Sequence, residues 1–270
     1  MVQVTFLGTG AAFTTKHRTN IALLVREGDT RLLIECGPTI LYQLERVGAT
    51  ADQVDHLFIS HRHGDHILGL PMYLLMRARL VRARRQPTSP LTILGNQDVV
   101  QVGKDLNYLV FPDLAERLTH LSWVVLPDDQ RSSVDLEPGI KLSTLPVPHS
   151  PGVTVLAVRL DFQRSGRSLV YSGDTTFDTG LVDFAANCDL LVHEANFSES
   201  LQPNVDAESY GHSTAGQAGR IAARANCRSL ALVHLDPGYS GQEDTVRADA
   251  ARQFSGEVLV PDDGTTVCLE

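Results

Sequence analysis

Cysteine is scarce in this chain of 270 residues: there are four, and no two of them form a C-x-x-C pair. This spacing argues against a disulfide framework and against a zinc site made of cysteines alone. No apolar run approaches the ~20 residues that a membrane span requires, and the N-terminal segment lacks the basic region, apolar core and cleavage site of a signal peptide. We therefore expect a cytoplasmic protein with no membrane association.

Positive charge is also in short supply. The sequence has 23 Lys and Arg against 32 Asp and Glu, a formal net charge of −9, whereas binding nucleic acid over a broad surface requires many cations to neutralise phosphates. A broad nucleic-acid surface is thus excluded, and a local basic patch remains open. The candidates for such a patch are Arg77, Arg79, Arg82, Arg84 and Arg85. A solvated helix face is the commoner meaning of such a run, and contact with an anionic substrate is the alternative.

The order of apolar patterns indicates an α/β fold. Strand-like and helix-like segments alternate in the first third, and β-rich runs dominate from residue 139. The sequence has no clear linker or repeat, so we expect one domain over residues 1–270, with two sheets facing each other and helices outside. The individual elements that we predict include a strand over residues 56–59, a helix over 70–85, a loop over 87–90, and a hairpin of 153–161 and 167–171.

The most informative segment is H-x-H-x-D-H at residues 61–66, directly after a predicted strand. Given ten His in the chain, chance would produce such a match on the order of once in a thousand sequences. A turn at the end of a strand can point His61 and His63 to one metal ion and Asp65 and His66 to a second. Imidazole nitrogens and carboxylate oxygens suit zinc, manganese or iron. The segment therefore predicts a metal site.

Three later residues add to this candidate set. His149, Asp174 and His234 each follow a β-rich apolar run, and ligands collect at such strand ends in layered α/β folds. Alone, each is a weak signal, because a buried hydrogen-bonded residue is the commoner interpretation. Their order after the cluster strengthens the prediction of two metal ions.

This series of motifs, from H-x-H-x-D-H through S-G-D at residues 172–174 to a His on a late strand, resembles the metallo-β-lactamase fold. The resemblance covers essentially the whole chain, including F-L-G-T-G at residues 6–10 and D-D-G at 262–264. It implies a four-layer αββα sandwich with a dinuclear metal site at one edge. The implied ligands are His61, His63 and His149 for one metal, Asp65, His66 and His234 for the other, and Asp174 for both. True lactamases of the commonest zinc class use Cys in place of Asp174, so antibiotic hydrolysis is not favoured.

Two further motifs resemble the ribonuclease Z branch of that superfamily. H-E-A-N at residues 193–196 is similar to the H-E-A-T motif of the branch, and H-S-T at 212–214 is similar to its H-S-T segment. The resemblance implies that Glu194 and His212 lie beside the metals and that His212 contacts the scissile phosphate. We expect His193 to pack beneath the site instead of binding metal.

The substrate side of the expected site includes three more residues. Ser213 or Thr214 would cap the following helix, whose positive N-terminus would face the substrate phosphate. Arg18, in the loop after the first strand, would add a phosphate contact. Capping alone is the simpler interpretation of Ser213 and Thr214.

The sequence departs from the family pattern in two places. Glu35 replaces the Asp that usually supports a ligand histidine, which we expect to reposition that support without abolishing it. In addition, only 25 positions separate His149 from Asp174. The transfer-RNA endonucleases of the branch carry a long protruding arm there, and its absence weakens a role in transfer-RNA processing.

Together these features predict a dinuclear metal-dependent phosphodiesterase acting on a small phosphodiester, such as a cyclic nucleotide, or on an RNA end. Two metal ions, zinc or alternatively manganese or iron, would activate a bridging water. Asp65 would take a proton from that water, and His212, held by Glu194, would protonate the leaving oxygen. The alternatives are a hydrolase of carboxylic or sulfuric esters, lactones or thioesters on the same fold, and, less favoured, a metal-binding sensor. The resemblance further suggests a homodimer.

Overall fold

Two seven-stranded β-sheets face each other in the computed structural model, which describes residues 1–84, 90–118, 120–136 and 139–270. The strands are β1 (Val2–Gly8), β2 (Ala22–Glu27), β3 (Thr30–Ile34), β4 (His56–Phe58), β5 (Leu91–Gly95), β6 (Leu121–Val125), β7 (Ser132–Leu136), β8 (Ile140–Val147), β9 (Val155–Phe162), β10 (Arg167–Tyr171), β11 (Leu190–Glu194), β12 (Ser229–Val233), β13 (Glu257–Leu259) and β14 (Thr266–Leu269). The helices are α1 (Ile40–Arg46), α2 (Gly64–Ile67), α3 (Leu70–Arg84), α4 (Gln97–Val110), α5 (Leu114–Arg117), α6 (Gly180–Phe184), α7 (Ala215–Arg224) and α8 (Glu243–Ala251).

Strand β9 shows why the molecule forms layers. Leu156, Val158 and Leu160 point into the core between the two sheets, whereas Val155 and Ala157 belong to a second core between the sheet and the outer helices. Such alternation follows from the two-residue period of a strand, and burial on both faces explains the continuous apolar sequence. A third core lies between the other sheet and helices α1, α3 and α4. The expected αββα sandwich is confirmed.

Each sheet combines antiparallel and parallel strands. The first has the order β14-β1-β2-β3-β4-β5-β6, and the second β13-β12-β11-β10-β9-β8-β7. Strands β3 to β6 run parallel to one another, as do β10 to β13. Parallel strands end at one edge of their sheet, so the loops that follow them gather polar side chains there. This edge places the motif residues together.

Most of the predicted elements match the structure. The strand at residues 56–59 corresponds to β4, the helix at 70–85 to α3, and the predicted hairpin to β9 and β10. A turn of four residues joins the two hairpin strands, so nothing longer protrudes between them. Residue 85 and residues 87–89 of the predicted loop lie outside the described residues.

The arginines of α3 do not all share one solvated face. Arg77 is buried, and its guanidinium donates hydrogen bonds to the carbonyl oxygens of Ala51 and Val54 at 2.7 and 2.9 Å. Arg77 therefore fixes the connection before β4 and is not available to a substrate, while Arg79 and Arg82 are exposed. In the part of the chain that the structure describes, no helix is long and apolar enough to cross a membrane.

Two glycines allow the H-x-H-x-D-H loop to approach the end of β3. A Cβ atom on Gly37 would lie 2.0 Å from the Asp65 carbonyl oxygen, and one on Gly69 would lie 2.0 Å from the Gly37 carbonyl oxygen. Backbone hydrogen bonds close the contact, since Cys36 N–H donates to His66 O and Gly69 N–H donates to Cys36 O. Side chains at these positions would push the motif loop away from the sheet edge.

Candidate metal centre

The structure brings together all seven residues that the sequence predicts as metal ligands. They form two groups whose donor atoms lie within 4.8 Å of one another: His61, His63 and His149 in one, and Asp65, His66, Asp174 and His234 in the other. The H-x-H-x-D-H residues lie at the end of β4 and the start of α2, and the others follow β8, β10 and β12.

Asp174 lies between the two groups. Its Oδ2 atom is 3.9 Å from Nε2 of His61, 3.4 Å from Nε2 of His66 and 3.3 Å from Nε2 of His234. One carboxylate oxygen thus faces imidazoles of both groups, the arrangement that a bridging ligand needs. Asp65 Oδ2 lies 3.3 Å from Nε2 of both His66 and His234.

Hydrogen bonds hold the imidazoles in the orientation required of metal ligands. Nδ1 of His149 lies 2.6 Å from the Gly211 carbonyl oxygen, which fixes the proton on that nitrogen and leaves Nε2 as an acceptor. Nδ1 of His61 lies 2.9 Å from Oγ of Ser60. Such contacts set the tautomer and ring orientation of ligand histidines in metalloproteins.

Glu35 supports His66 despite its extra methylene. Its Oε1 atom lies 3.3 Å from Nδ1 of His66, and its Oε2 atom accepts a hydrogen bond from the Ser60 N–H at 3.3 Å. The backbone of Glu35 has φ of +69°, an uncommon left-handed conformation for a residue with a side chain. The longer side chain is therefore accommodated, as expected, without loss of the contact.

Several buried polar atoms at the centre have no hydrogen-bond partner among the described residues. They include Nε2 of His61, Nε2 of His66 and Oδ1 of Asp174, and also Nδ1 of His66 and Oε1 of Glu35, which lie 3.3 Å apart without the geometry of a hydrogen bond. Buried donors and acceptors without partners are costly, and a divalent cation bound by them removes that cost. The donor set, nitrogen and carboxylate oxygen, is the one that zinc, manganese and iron bind. The residues present thus fit divalent metal ions.

The electrostatic environment favours the metal-binding forms of Asp174 and His61, but not that of His66. Burial opposes ionisation of Asp174, but His234 and His66 hold the pKa of its carboxyl well below the usual range. Burial lowers the pKa of His61, which keeps that imidazole neutral. Burial also disfavours charge on His66, but Asp174 and Glu35 raise its pKa well above the ordinary value in the metal-free protein. Metal binding at His66 must therefore release a proton.

His212 and Glu194 form a pair beside these groups. Nδ1 of His212 lies 2.8 Å from Oε1 of Glu194. Glu194 is fully buried, and its carboxylate also accepts hydrogen bonds from the N–H groups of Thr175 and Asn196, each at 3.0 Å. Burial disfavours charge on His212, but the carboxylate of Glu194 raises its pKa to about 9. The imidazole is thus protonated at neutral pH in the absence of metal.

The centre opens into a cavity of about 680 Å³. The candidate metal ligands His63, Asp65, His149, Asp174 and His234 line its floor together with His212. The walls contain Phe13, Phe197 and Tyr210, which the sequence analysis did not select. In the sequence, the signal for a role of Phe13 and Tyr210 is their position beside motifs. Phe13 follows the G-T-G turn, and Tyr210 precedes Gly211 and His212.

The structure corrects the expected role of Arg18. Its guanidinium is buried away from the cavity and donates hydrogen bonds to Oγ1 of Thr9 at 2.5 Å and to the Pro261 carbonyl oxygen at 2.7 Å. It also lies 3.3 Å from Glu243. Arg18 therefore joins the loop after β1 to the C-terminal segment and is not among the residues that line the cavity.

Ser213 and Thr214 do not line the cavity either. Ser213 is fully buried, and its hydroxyl donates to the Thr175 carbonyl oxygen at 2.7 Å. Thr214 caps α7, because its hydroxyl accepts the Gln217 N–H. The simpler interpretation, capping, is the one that the structure supports for Thr214. His193 is buried, with Nδ1 2.7 Å from the Glu194 carbonyl oxygen, and it belongs to neither metal group.

Comparisons with known proteins agree with this geometry. The family model described as anti-Pycsar protein Apyc1 matches residues 2–210. Ribonuclease Z of Natronomonas pharaonis is 34% identical, with 98% of this chain and 97% of the relative covered. The metallo-β-lactamase fold protein YhfI from Bacillus subtilis has a TM-score of 0.81 at 27% identity over 98% of both chains. The short form of human tRNase Z has a TM-score of 0.77 at 22% identity over 99% of both chains.

The fold and the site define a metal-dependent hydrolase of the metallo-β-lactamase superfamily. Within that class, the chain belongs to the family that the Apyc1 model describes and is a full-length homologue of the ribonuclease Z enzymes. The predicted resemblance is confirmed, and the protein is a metal-binding phosphodiesterase or nuclease.

The contact between Glu35 and His66 generates a prediction about metal affinity. Replacing Glu35 with Gln removes the negative charge that makes His66 a strong ligand, so we expect about a 10- to 100-fold weaker binding of metal. Competition with a chelating dye measures this affinity. Glu45→Gln, at an exposed position on α1, is the matched control and should bind metal like the wild type. Unchanged affinity in Glu35→Gln would show that the carboxylate does not support the ligand.

Proposed function

We propose that this protein hydrolyses a small nucleotide phosphodiester, with a cyclic nucleotide as the model substrate. The observation that carries the proposal is the cavity of about 680 Å³ over the gathered His and Asp residues, a volume suited to one small ligand. The short β9–β10 hairpin supports the same conclusion, because no arm rises from it to hold a large RNA. Furthermore, the alignment with the Natronomonas pharaonis ribonuclease Z has 308 positions, more than the 270 residues of this chain, so that relative carries segments that this chain lacks.

We further propose two metal ions, preferably zinc. His61, His63 and His149 would bind the first, Asp65, His66 and His234 the second, and Asp174 both. The two groups of donor atoms and the position of Asp174 Oδ2 between them support this assignment. The same donors also suit manganese and iron.

The protein side chains have distinct tasks in the proposed reaction. Bound divalent metals supply positive charge for the phosphate oxygens and lower the pKa of water. Asp65 is anionic and reaches the cavity, so it is placed to accept a proton from the attacking water. His212 donates a proton to the leaving oxygen, and Glu194 both orients the imidazole and keeps it protonated.

The decisive experiment pairs metal analysis with a substrate panel. The wild type should bind about two metal ions and should cleave cyclic nucleotides faster than a 3′-extended transfer RNA precursor, carboxylic esters or lactones. Asp174→Ala should lose metal and all activity. Preferential cleavage of the RNA precursor would instead favour a ribonuclease activity, for which the ribonuclease Z relatives are named. Cleavage of esters alone would refute the phosphodiesterase proposal.

The Glu194–His212 pair generates a prediction about pH. Because protonated His212 is the active form, kcat/KM should fall as the pH rises through its pKa, which lies at about 9 before metal is bound. In Glu194→Gln the carboxylate no longer stabilises the imidazolium, so this alkaline decline should begin at a lower pH.

A second variant serves as the control for this role. His212→Ala should reduce turnover by about 10²- to 10⁴-fold with unchanged metal content. Loss of metal would instead identify His212 as a ligand, since possible ligand atoms of His212, His149 and Asp174 also lie within 4.8 Å of one another. An alkaline decline at the same pH in wild type and Glu194→Gln would contradict the role of the pair.

We also propose a homodimer. Apolar side chains are exposed on and beside α1 and α3, among them Tyr42, Leu68 and Met72, and a groove between these helices contains Leu41 and Met76. Association of two such faces would remove this apolar surface from water. Light scattering should therefore report twice the 29.4 kDa of one chain, and Met72→Lys should yield the monomer. A monomeric wild type would contradict the proposal.

A further inference from the structure

Two aromatic side chains at the mouth of the cavity are far more exposed than is usual for their size. Phe13 is 79% exposed and Tyr210 is 64% exposed, and both line the same cavity as His212. A large aromatic ring left in water at the mouth of a cavity gains free energy when a ligand covers it. The two rings therefore mark a ligand surface at the outer part of the cavity.

An aromatic wall connects this surface to the candidate metal centre. The ring of Tyr210 is 5.5 Å from that of Phe197, and the ring of Phe197 is 6.3 Å from that of His212. His212 in turn stacks on His234, with ring centres 5.3 Å apart. A ligand with its phosphate beside His212 and His234 would thus extend outward along rings, with Tyr210 at the far end.

The chemistry of the lining favours a base over further phosphates at the outer end. No lysine or arginine is among the described residues that line the cavity. A polynucleotide would need such cations along its backbone, whereas a single nucleobase needs a flat apolar surface. The carboxamides of Gln202 and Asn204 lie in the same lining and can form hydrogen bonds with the edge of a base.

We propose that Tyr210 and Phe13 form a stacking platform for the nucleobase of a mononucleotide whose phosphate is bound beside His212. This inference rests on the proposed function for the position of the phosphate. Stacking on an aromatic side chain contributes enough affinity that its removal weakens binding by about 5- to 150-fold per base. Phe197 packs against Tyr210, with ring centres 5.5 Å apart and ring planes tilted by 50°.

The experiment measures binding, so that it does not depend on turnover. Calorimetry with metal-loaded protein compares adenosine 5′-monophosphate with ribose 5-phosphate, which has the phosphate and sugar but no base. The wild type should bind the nucleotide about 5- to 150-fold more tightly than ribose 5-phosphate. In Tyr210→Leu and Phe13→Leu this difference should shrink, with little change in affinity for ribose 5-phosphate.

Two control variants separate stacking from other effects. Tyr210→Phe keeps the ring and should bind the nucleotide like the wild type. Tyr108→Leu changes a tyrosine on α4 that is 74% exposed and does not line the cavity, and it should have no effect. An apolar contact without stacking would be preserved in Tyr210→Leu, which is similarly bulky, so full retention of nucleotide affinity in both leucine variants would overturn the proposal.

The binding experiment tests the stacking platform separately from the proposed function. Equal wild-type affinity for the nucleotide and ribose 5-phosphate would refute the platform, even if cyclic nucleotides are cleaved. Preferential binding of the nucleotide that depends on Tyr210 and Phe13 would establish it, even if turnover identifies another phosphodiester as the substrate. An equal loss of affinity for both ligands in the leucine variants would assign these residues to the shape of the cavity and would also refute stacking.

Discussion

The buried carboxylate of Asp174 is the group on which the organisation of the site depends. It lies in the interior between imidazoles that arrive from both sheets, and its Oδ2 atom is within 3.9 Å of three of them. A charge in such a place is tolerated only when opposite charge compensates it. Imidazolium can do this in the metal-free protein, and bound divalent metals would do it more effectively if the histidine nitrogens also held them. Burial of the Asp174 carboxylate and the need for a compensating cation are therefore a single constraint on the structure.

That constraint explains the architecture around it. Ligands must come from both sheets, so the carboxyl ends of parallel strands have to meet at one edge, and the connections there must approach closely. Gly37 and Gly69 permit this approach where any side chain would collide with the backbone. The acceptors around the ligands, such as Glu35 at His66 and the Gly211 carbonyl oxygen at His149, then determine which imidazole nitrogen faces the centre.

The residues that the sequence predicts as metal ligands lie together in the structure, whereas those predicted for the substrate side do not, and the reason is physical. His61, His63, Asp65 and His66 are adjacent in the chain, and the remaining candidates follow strands, so local pattern locates them. The prediction for Arg18 is wrong because its guanidinium binds Pro261 and Glu243 as well as Thr9, and no local pattern reports contacts more than 220 positions along the chain. Ser213 has the right position in a motif, but its hydroxyl is directed to Thr175 behind the site. Phe13 and Tyr210 form part of one cavity only after both sheets are assembled.

The wall of the cavity is held in a different way from its floor. Asp249 on α8 accepts hydrogen bonds from the hydroxyls of Ser198 and Ser200, and the hydroxyl of Tyr239 accepts the Ser198 N–H. These bonds tie the segment that carries Phe197 and Gln202 to α8 and to the connection between β12 and α8, and Asn196 at the start of this segment also donates a hydrogen bond to the His234 carbonyl oxygen at 3.3 Å. Phe13 and Tyr210, whose side chains form none of these bonds, can therefore change the fit of a ligand without disturbing the carboxylates and imidazoles of the floor. Under the proposed function, the same floor would accept different phosphodiesters, and the side chains of the wall would determine the choice among them.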